Sequence, residues 1–161
     1  MIYKCLGLMS GTSLDGVDGA ICVTDGNNIV RFEKTYFRPY NSKEQSVLKA
    51  KLNSWPENTN LDEALQIVQN AHLDVIKHFP EADLIGFHGQ TLNHDPSLRR
   101  TFQLGDGEEL AKLSGKKVIW DFRSPDMING GQGAPLAPFF HFACAKLLKI
   151  KEINNLKMFK F

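Results

Sequence analysis

Apolar positions near the N-terminus of this 161-residue chain fall into three short runs that alternate with polar turns. The runs cover Tyr3–Met9, Val17–Thr24 and Ile29–Phe37, and the turn-rich segment Asp25–Asn28 joins the last two. Runs of this length bounded by turn residues are typical of β-strands. The pattern predicts three strands, and the register of the third is uncertain because its alternation is irregular.

Two helices are predicted next from signals for their N-terminal caps. Ser42 with Gln45 three residues later is typical of a capping box, and the helix should run to about Leu52. Asn60 with Glu63 has the same spacing and should start a longer helix. The positions that recur at helical spacing in this longer helix, and the proline that ends it, are Leu61, Leu65, Val68, His72, Val75, Phe79 and Pro80.

Beyond this helix, short strands alternate with helices. Strands are predicted at Asp83–Phe87, Thr101–Leu104 and Lys116–Trp120. Asp106 with Glu109 should cap a helix that ends at Gly115. Further predicted segments are a Gly/Pro loop over 129–138, an apolar helix from about Pro138 to Leu148, and the beginning of a strand in the last residues, Leu156–Phe161. The alternation predicts an α/β fold.

Composition is that of an ordinary globular protein, with 42% hydrophobic and 23% charged residues. A net charge of +1 gives no reason to expect nucleic acid or an acidic membrane as a partner. Cys5, Cys22 and Cys144 form no CxxC pair and have apolar neighbours, which favours reduced core thiols in a cytoplasmic protein. We expect no signal peptide or membrane span, because no apolar run is long enough to cross a bilayer.

Unusual polar residues follow three of the predicted strands. They form the segments Ser10–Gly16, His88–Thr91 and Asp121–Arg123. In open α/β sheets, ligands bind beyond the carboxyl ends of the strands, where backbone amides and side chains converge. The sequence therefore predicts one cleft built from all three segments.

The first segment combines glycines and hydroxyls with a carboxylate. Its glycines permit a close approach of the backbone, and Thr12 and Ser13 offer hydroxyl donors for an anion. Asp15 fits an anion site only if a Mg²⁺ ion lies between it and phosphates. The segment matches neither a P-loop nor a GxGxxG fingerprint, and a tight turn with structural glycines remains the alternative.

The histidines have alternative interpretations. His88 and His94, with Asp95, are candidate metal ligands, but a substrate-binding loop in which Gln90 and Thr91 bond a sugar is favoured. His72 lies on the apolar face of a helix, and a satisfied core histidine is the favoured interpretation.

Asp121 follows a strand of Val, Ile and Trp. Apolar surroundings raise the pKa of a carboxyl group and suit it to general base catalysis. Pairing with Arg123 or capping of the next turn is an equal alternative. The Gly130–Ala134 segment is either a hinge or a loop that lies close to a ligand.

Four segments together resemble the anhydro-N-acetylmuramic acid kinase family: Gly7–Ala20, Phe87–Pro96, Thr101–Ala111 and Asp121–His141. The resemblance implies an α/β fold, a ribonuclease H-like lobe of the actin/sugar-kinase/Hsp70-like superfamily with a mixed sheet flanked by helices. It also implies an ATP- and Mg²⁺-dependent enzyme that opens the ring of 1,6-anhydro-N-acetylmuramic acid and phosphorylates O6, in cell-wall recycling.

The resemblance also implies roles for individual residues. Asp121 would be the catalytic base, and Asp15 would lie near the Mg²⁺. The ATP-binding residues would be Gly11, Thr12, Ser13, Leu14, Asp15, Gly16, Val17 and Asp18. The sugar-binding residues would be His88, Gln90, Thr91, Arg123, Gly131, Gln132 and Gly133.

The chain departs from this family in its length. Residues 1–150 match an N-terminal lobe, and we expect 151–161 to be a truncated tail at the start of a missing second lobe. A separately encoded second lobe or self-association would then supply a partner, and the isolated chain should be weakly active or inactive. The alternatives are a non-catalytic remnant, one half of a split kinase, or a glycoside hydrolase using Asp121 and Asp126. The hydrolase ranks last because it does not explain Ser10–Gly16.

Overall fold

The computed structural model of the protein describes residues 1–149, whose strands form one six-stranded sheet. The first three strands are β1 (Tyr3–Ser10), β2 (Gly16–Thr24) and β3 (Ile29–Pro39). They pair as an antiparallel meander, with β2 between the other two. All three predicted strands are confirmed, and each observed strand contains the predicted one.

The other three strands are β4 (Leu84–Asp95), β5 (Arg100–Leu104) and β6 (Lys117–Trp120). On one side, β4 pairs in parallel with β1. On the other side, the first part of β4 pairs in parallel with β6, and its second part pairs antiparallel with β5. The result is the mixed sheet expected from the resemblance, with β4 bonded to three neighbours.

The predicted end of β4 at Phe87 is wrong. Gly89 has φ +72, and a Cβ atom there would lie 2.7 Å from the carbonyl oxygen of Leu104, so this glycine forms an irregularity inside the strand. Beyond it, β4 pairs with β5 from Gln90 to Asp95. The His88–Thr91 segment is therefore part of a strand and not a loop.

Helices α1 (Ser42–Lys49), α2 (Asp62–Ile76) and α3 (Gly107–Ser114) cover one face of the sheet. The cap predicted at Ser42 is displaced by one residue, because Asn41 and Glu44 form the capping box. The predicted extension of α1 to Leu52 is also wrong, since the helix ends at Lys49.

The prediction that Asn60 is the N-cap residue of α2 is wrong. The N-cap is Leu61, and the Asn60 side chain instead accepts a hydrogen bond from the amide of Asp62. At α3 the predicted Asp106 cap and the terminal Gly115, with φ +68, are both confirmed.

The opposite face of the sheet carries α5 (Ala137–Leu147), which packs on β3 through an edge contact of Phe140 with Phe32. This helix corresponds to the predicted apolar helix. A short helix that was not predicted, α4 (Ser124–Ile128), precedes it. Large apolar side chains on this face remain 44–50% exposed, namely Met9, Phe32 and Phe37.

The cysteines are free, as expected of reduced thiols, but they are half-buried and do not lie in the buried core. Cys5 and Cys22 lie opposite each other on the neighbouring strands β1 and β2. Within residues 1–149, no helix combines the length and apolar character needed to cross a membrane. The strand predicted at Leu156–Phe161 and the tail predicted at 151–161 lie outside the described residues.

His72 lies fully buried between α2 and the sheet, with its ring edge-on to Phe87. Its Nδ1 lies 2.7 Å from the carbonyl oxygen of Val68, whereas its Nε2 has no hydrogen-bond partner within the part of the chain that is described. The expected core position is confirmed, but the ring is only half satisfied. Burial, partly offset by the bond to Val68, lowers the pKa of His72 to about 4.

Replacing His72 by leucine should reduce the pH dependence of the free energy of unfolding between pH 6.5 and about pH 4. In the unfolded wild-type chain, His72 binds a proton as the pH falls below 6.5, whereas in the folded chain it does so only near pH 4. The free energy of unfolding therefore falls as the pH falls from 6.5 to about 4. The loss should total ~3 kcal/mol. Urea titrations between these pH values measure it, with His78→Leu on the surface as the control. An equally steep slope in His72→Leu would contradict the assignment.

Candidate active site

The carboxyl ends of β1 and β6 lie on either side of β4, at the level of Phe87 in the middle of that strand. The parallel register pairs Leu8 with Phe87 and Phe87 with Trp120, the last residue of β6. Ser10 pairs with Gln90 further along. The segments after these positions therefore meet at one edge, as the sequence predicted.

Leu14 anchors the loop after β1 in the hydrophobic core. This residue has φ +57, and its side chain is only 5% exposed. Its amide donates to the carbonyl oxygen of Gly11 at 3.1 Å, and its own carbonyl accepts from Nε2 of Gln45 at 3.0 Å. A left-handed conformation is costly for leucine, so burial and both hydrogen bonds must hold it in place.

Close packing requires a glycine at position 16. A Cβ atom there would lie 2.3 Å from the carbonyl oxygen of Arg38 and 2.7 Å from the ring of Phe37. These contacts with Arg38 and Phe37 are enough to explain why a glycine occupies this position. The side chain of Val17 is buried as well, which leaves only its backbone for a ligand.

The polar side chains of the same loop face solvent. Thr12, Ser13, Asp15 and Asp18 are all exposed. The hydroxyl of Ser13 donates to Oδ1 of Asp15 at 2.6 Å, and this hydrogen bond is the main cause that lowers the pKa of Asp15. One ionised carboxylate beside two hydroxyls suits a Mg²⁺ ion that keeps water and phosphate oxygens as its other ligands.

Gln90, predicted to face a sugar, is fully buried behind this loop. Its Oε1 accepts from the hydroxyl of Ser10 at 2.5 Å, and its Nε2 donates to the carbonyl oxygen of Gly11 at 3.0 Å. The Ser10 hydroxyl also lies 3.0 Å from the hydroxyl of Tyr40. The side chain of Gln90 thus joins β4 to the loop. Nothing in the local sequence indicated this role, because Gln90 is distant in the chain from Ser10 and Gly11.

A cleft of about 230 Å³ opens between β4, β5 and the end of β6. Its lining includes Phe87, His88, Thr101, Gln103, Trp120 and Asp121. Asp121 has φ +53, and its Oδ1 accepts from the amide of Ser124 at 3.2 Å. Its side chain is exposed, so the apolar surroundings expected from the sequence are not provided by residues 1–149.

Sequence reasoning missed the contribution of β5 to this cleft. Nε2 of Gln103 donates to the hydroxyl oxygen of Thr101 at 2.7 Å and lies 3.4 Å from that of Thr91. The Thr101 hydroxyl also lies 3.1 Å from Nδ1 of His94. Hydroxyl and amide groups beside the indole ring of Trp120 suit a polar ring-shaped ligand. The alternating polar residues in β5 were the available signal.

His88 and Arg123 bond each other. Nε of Arg123 donates to Nε2 of His88 at 2.9 Å, and its NH1 group donates to the carbonyl oxygen of Gly133 at 2.9 Å. Burial lowers the pKa of His88. Asp126 accepts from the amide of Gly133 at 2.7 Å, so it supports the glycine-rich loop and does not line the cleft with Asp121.

Asp126 also contacts the rest of the glycine-rich loop, through its backbone and its side chain. The amide of Gly131 donates to the backbone carbonyl of Asp126 at 2.8 Å, and a Cβ atom on Gly131 would lie 2.2 Å from the Asp126 side chain. Gln132 is exposed between the two glycines.

The metal-site alternative finds no support in the side-chain geometry. Asp95 accepts from the amides of Ser97 and Leu98, whereas His88 and His94 have separate partners. Across residues 1–149, no three His, Cys, Asp or Glu side chains are grouped so that they would hold a metal ion.

Comparison with known proteins gives consistent results. The sequence profile described as "Anhydro-N-acetylmuramic acid kinase" matches residues 3–155. The chain is 53% identical to the anhydro-N-acetylmuramic acid kinase of Cereibacter sphaeroides over 141 residues, which cover 88% of this chain and 38% of the relative. It is 50% identical to that of Ruegeria sp. over 149 residues, which cover 92% and 40%. For Rhodopseudomonas palustris (strain BisB18) the identity is 41% over 158 residues, covering 89% and 43%. The chain thus spans about 40% of the length of the curated relatives it matches.

Replacing Gln90 by methionine should destabilise the loop after β1. The substitution keeps the length of the side chain but leaves the buried Ser10 hydroxyl and the Gly11 carbonyl without this partner, which should cost about 2–3 kcal/mol. Urea denaturation measures the change. Gln132→Met, at an exposed position, is the matched control and should change stability by less than about 0.5 kcal/mol. Equal effects of the two substitutions would contradict the bracing role of Gln90.

Proposed function

The chain belongs to the anhydro-N-acetylmuramic acid kinase family, and on this premise we propose that it is the phosphate- and sugar-facing lobe of an ATP-dependent kinase. The reaction opens the 1,6-anhydro ring of 1,6-anhydro-N-acetylmuramic acid and phosphorylates O6, giving N-acetylmuramic acid 6-phosphate. The supporting observation is that the Gly11–Asp18 loop and the Asp121 cleft open at the same edge of the sheet.

On the nucleotide side, the loop Gly11–Asp18 binds the phosphates of ATP. The exposed hydroxyl of Thr12 acts as a donor, and Asp15, to which the Ser13 hydroxyl donates, is the residue that would hold Mg²⁺. When bound, Mg²⁺ neutralises charge on the phosphate oxygens. Leu14 and Gln90 keep the loop in place, so little reorganisation accompanies binding.

On the sugar side, Asp121 is the general base. The Ser124 amide orients its Oδ1, and its Oδ2 then takes a proton from a water molecule. The oxygen of that water forms a bond to C1 as the C1–O6 bond breaks, and the electron pair of the broken bond goes to O6. O6 then attacks the γ-phosphorus, and ADP leaves.

The sugar lies in the cleft beside Asp121. Thr91, Thr101 and Gln103 offer hydroxyl and amide groups to it, and Trp120 offers an aromatic surface. Gly131, Gln132 and Gly133 bound the sugar site from the glycine-rich loop, which His88 and Arg123 support.

A second polypeptide and a cytoplasmic location belong to the proposed function. Kinases of this architecture close two lobes around ATP, and this chain spans about 40% of the length of its relatives. A second lobe encoded separately, or a second copy of this chain, would cover the exposed Met9, Phe32 and Phe37. We place the protein in the cytoplasm, with the amino sugar and ATP as its small-molecule partners.

The purified chain alone should turn over no substrate. It provides a loop for the phosphates. Closure around ATP requires a second lobe, which in the relatives would come from the roughly 60% of their length that this chain does not match. The chain is incubated with ATP, Mg²⁺ and 1,6-anhydro-N-acetylmuramic acid, and the product is followed by mass spectrometry. The full-length Cereibacter sphaeroides relative is the positive control. Phosphorylated sugar at the relative's rate would refute the need for a second lobe, and sugar hydrolysis without ATP would support the hydrolase alternative.

Asp121→Asn should abolish ring opening when this chain is joined to the remaining portion of the Cereibacter sphaeroides relative. Loss of a general base lowers the rate by about 10²–10⁴-fold, while nucleotide affinity should be retained because the loop is untouched. Product formation and calorimetric ATP titration measure the two quantities. Asp74→Asn, at a half-exposed position on α2, is the matched control. A variant at Asp121 that remains active would refute its role as the base.

A further inference from the structure

Three separate elements are connected through the side chain of Arg123. Its Nε–H reaches His88 in β4, and its NH1 group reaches the backbone of Gly133, both at 2.9 Å. The guanidinium is half-buried between them. Arg123 itself follows β6, so this one residue connects the end of β6 with the middle of β4 and with the glycine-rich loop.

The hydrogen count at His88 fixes its protonation state. Arg123 Nε carries a hydrogen and donates it, so Nε2 of His88 must present a lone pair. The proton then resides on Nδ1, which lies 3.0 Å from the carbonyl oxygen of Gly89. The arrangement requires a neutral imidazole in one tautomer, because a guanidinium does not lose its proton in a protein.

The other end of the connection is equally well defined. The carbonyl of Gly133 accepts from Arg123, and the amide of Gly133 donates to Asp126 at 2.7 Å. Gly133 has φ +77, and a Cβ atom there would lie 2.8 Å from Cε1 of His94 and 2.9 Å from Sδ of Met127. The loop therefore packs tightly where Arg123 holds it, and small displacements break several contacts.

We propose that His88 and Arg123 are positioning residues that hold the glycine-rich loop 130–134 against β4, and that the loop is released when His88 gains a proton. Protonation places an N–H on Nε2, opposite the N–H of Arg123, so the hydrogen bond is replaced by two facing donors. Two positive charges then lie next to each other, and the connection to Gly133 is lost.

The surroundings of His88 set the direction of the pH dependence. Burial, with a smaller contribution from the charge of Arg123, lowers its pKa below the usual 6.5, against the bond to Gly89. The other titratable groups near it are His72 from α2 and Asp121 across the cleft. A depressed pKa means that the neutral form is favoured on folding, so the loop is held at neutral pH and released in acid.

The consequence for ligand binding rests on the proposed function. If the loop bounds the sugar site, release should weaken sugar binding and leave the nucleotide loop after β1 unchanged, because the latter is braced by Gln90 and Leu14.

Hydrogen exchange of the loop amides tests the proposal without any ligand. The full 161-residue chain and its variants are exchanged from about pH 8 to about pH 4.5, with exchange times scaled to the intrinsic rate at each pH. His88→Gln keeps an acceptor for Arg123 at every pH, whereas His88→Ala removes it. Arg123→Lys retains the charge but cannot bond both partners. The amides of α3 report global opening, including that caused by protonation of His72.

In the wild type, protection of Gly131 and Gly133 relative to α3 should fall by about tenfold or more in acid. His88→Gln should remain protected throughout, and His88→Ala and Arg123→Lys should be unprotected even at neutral pH. Wild-type protection that does not vary with pH, or full protection in His88→Ala, would overturn the proposal. Unaltered circular dichroism identifies variants that remain folded.

The sugar consequence has a separate readout. In the chain joined to the remainder of the relative, the KM for the sugar should rise in acid for the wild type and not for His88→Gln, with kcat changed less. Loss of loop protection without any sugar binding would overturn the proposed function and leave the positioning role intact.

Discussion

The pairing of β4 with three other strands is the constraint on which the rest of the structure depends. Its parallel pairing with β1 and β6 brings the ends of these strands to one edge of the sheet. The irregularity at Gly89 then lets the same strand continue and pair with β5. Without this extension, Thr101 and Gln103 would not reach the cleft beside Asp121. The position of the loop after β1 and the cleft are therefore two consequences of one strand.

Buried hydrogen bonds turn this layout into a defined site. Gln90 and Ser10 fasten the loop after β1 to β4, and Arg123 fastens the glycine-rich loop to His88. In each case a polar side chain donates to a backbone carbonyl of the loop, that of Gly11 from Gln90 and that of Gly133 from Arg123. The side chains of this loop that are exposed to solvent, such as Thr12 and Asp15, therefore project from a backbone that is held in place.

The two faces of the sheet differ in how far helices cover them. Helices α1, α2 and α3 bury one face, whereas α5 covers only part of the other, near β3. Met9 and Phe37 remain partly exposed there. Among residues 1–149, this face is an apolar surface that is only partly covered, which is typical of a contact surface.

The sequence by itself determined the strands, the main helices and the family, because apolar periodicity, caps and motifs are local properties of the chain. It also predicted that three polar segments would meet at one edge, since parallel strands require it. Only the tertiary structure decided what each polar side chain does. Gln90 and Arg123 were predicted to face the sugar, yet they hold loops in place because their partners, Ser10 and Gly133, are brought near by folding. A motif specifies which residues are present, whereas hydrogen-bond partners distant in sequence are chosen by the fold.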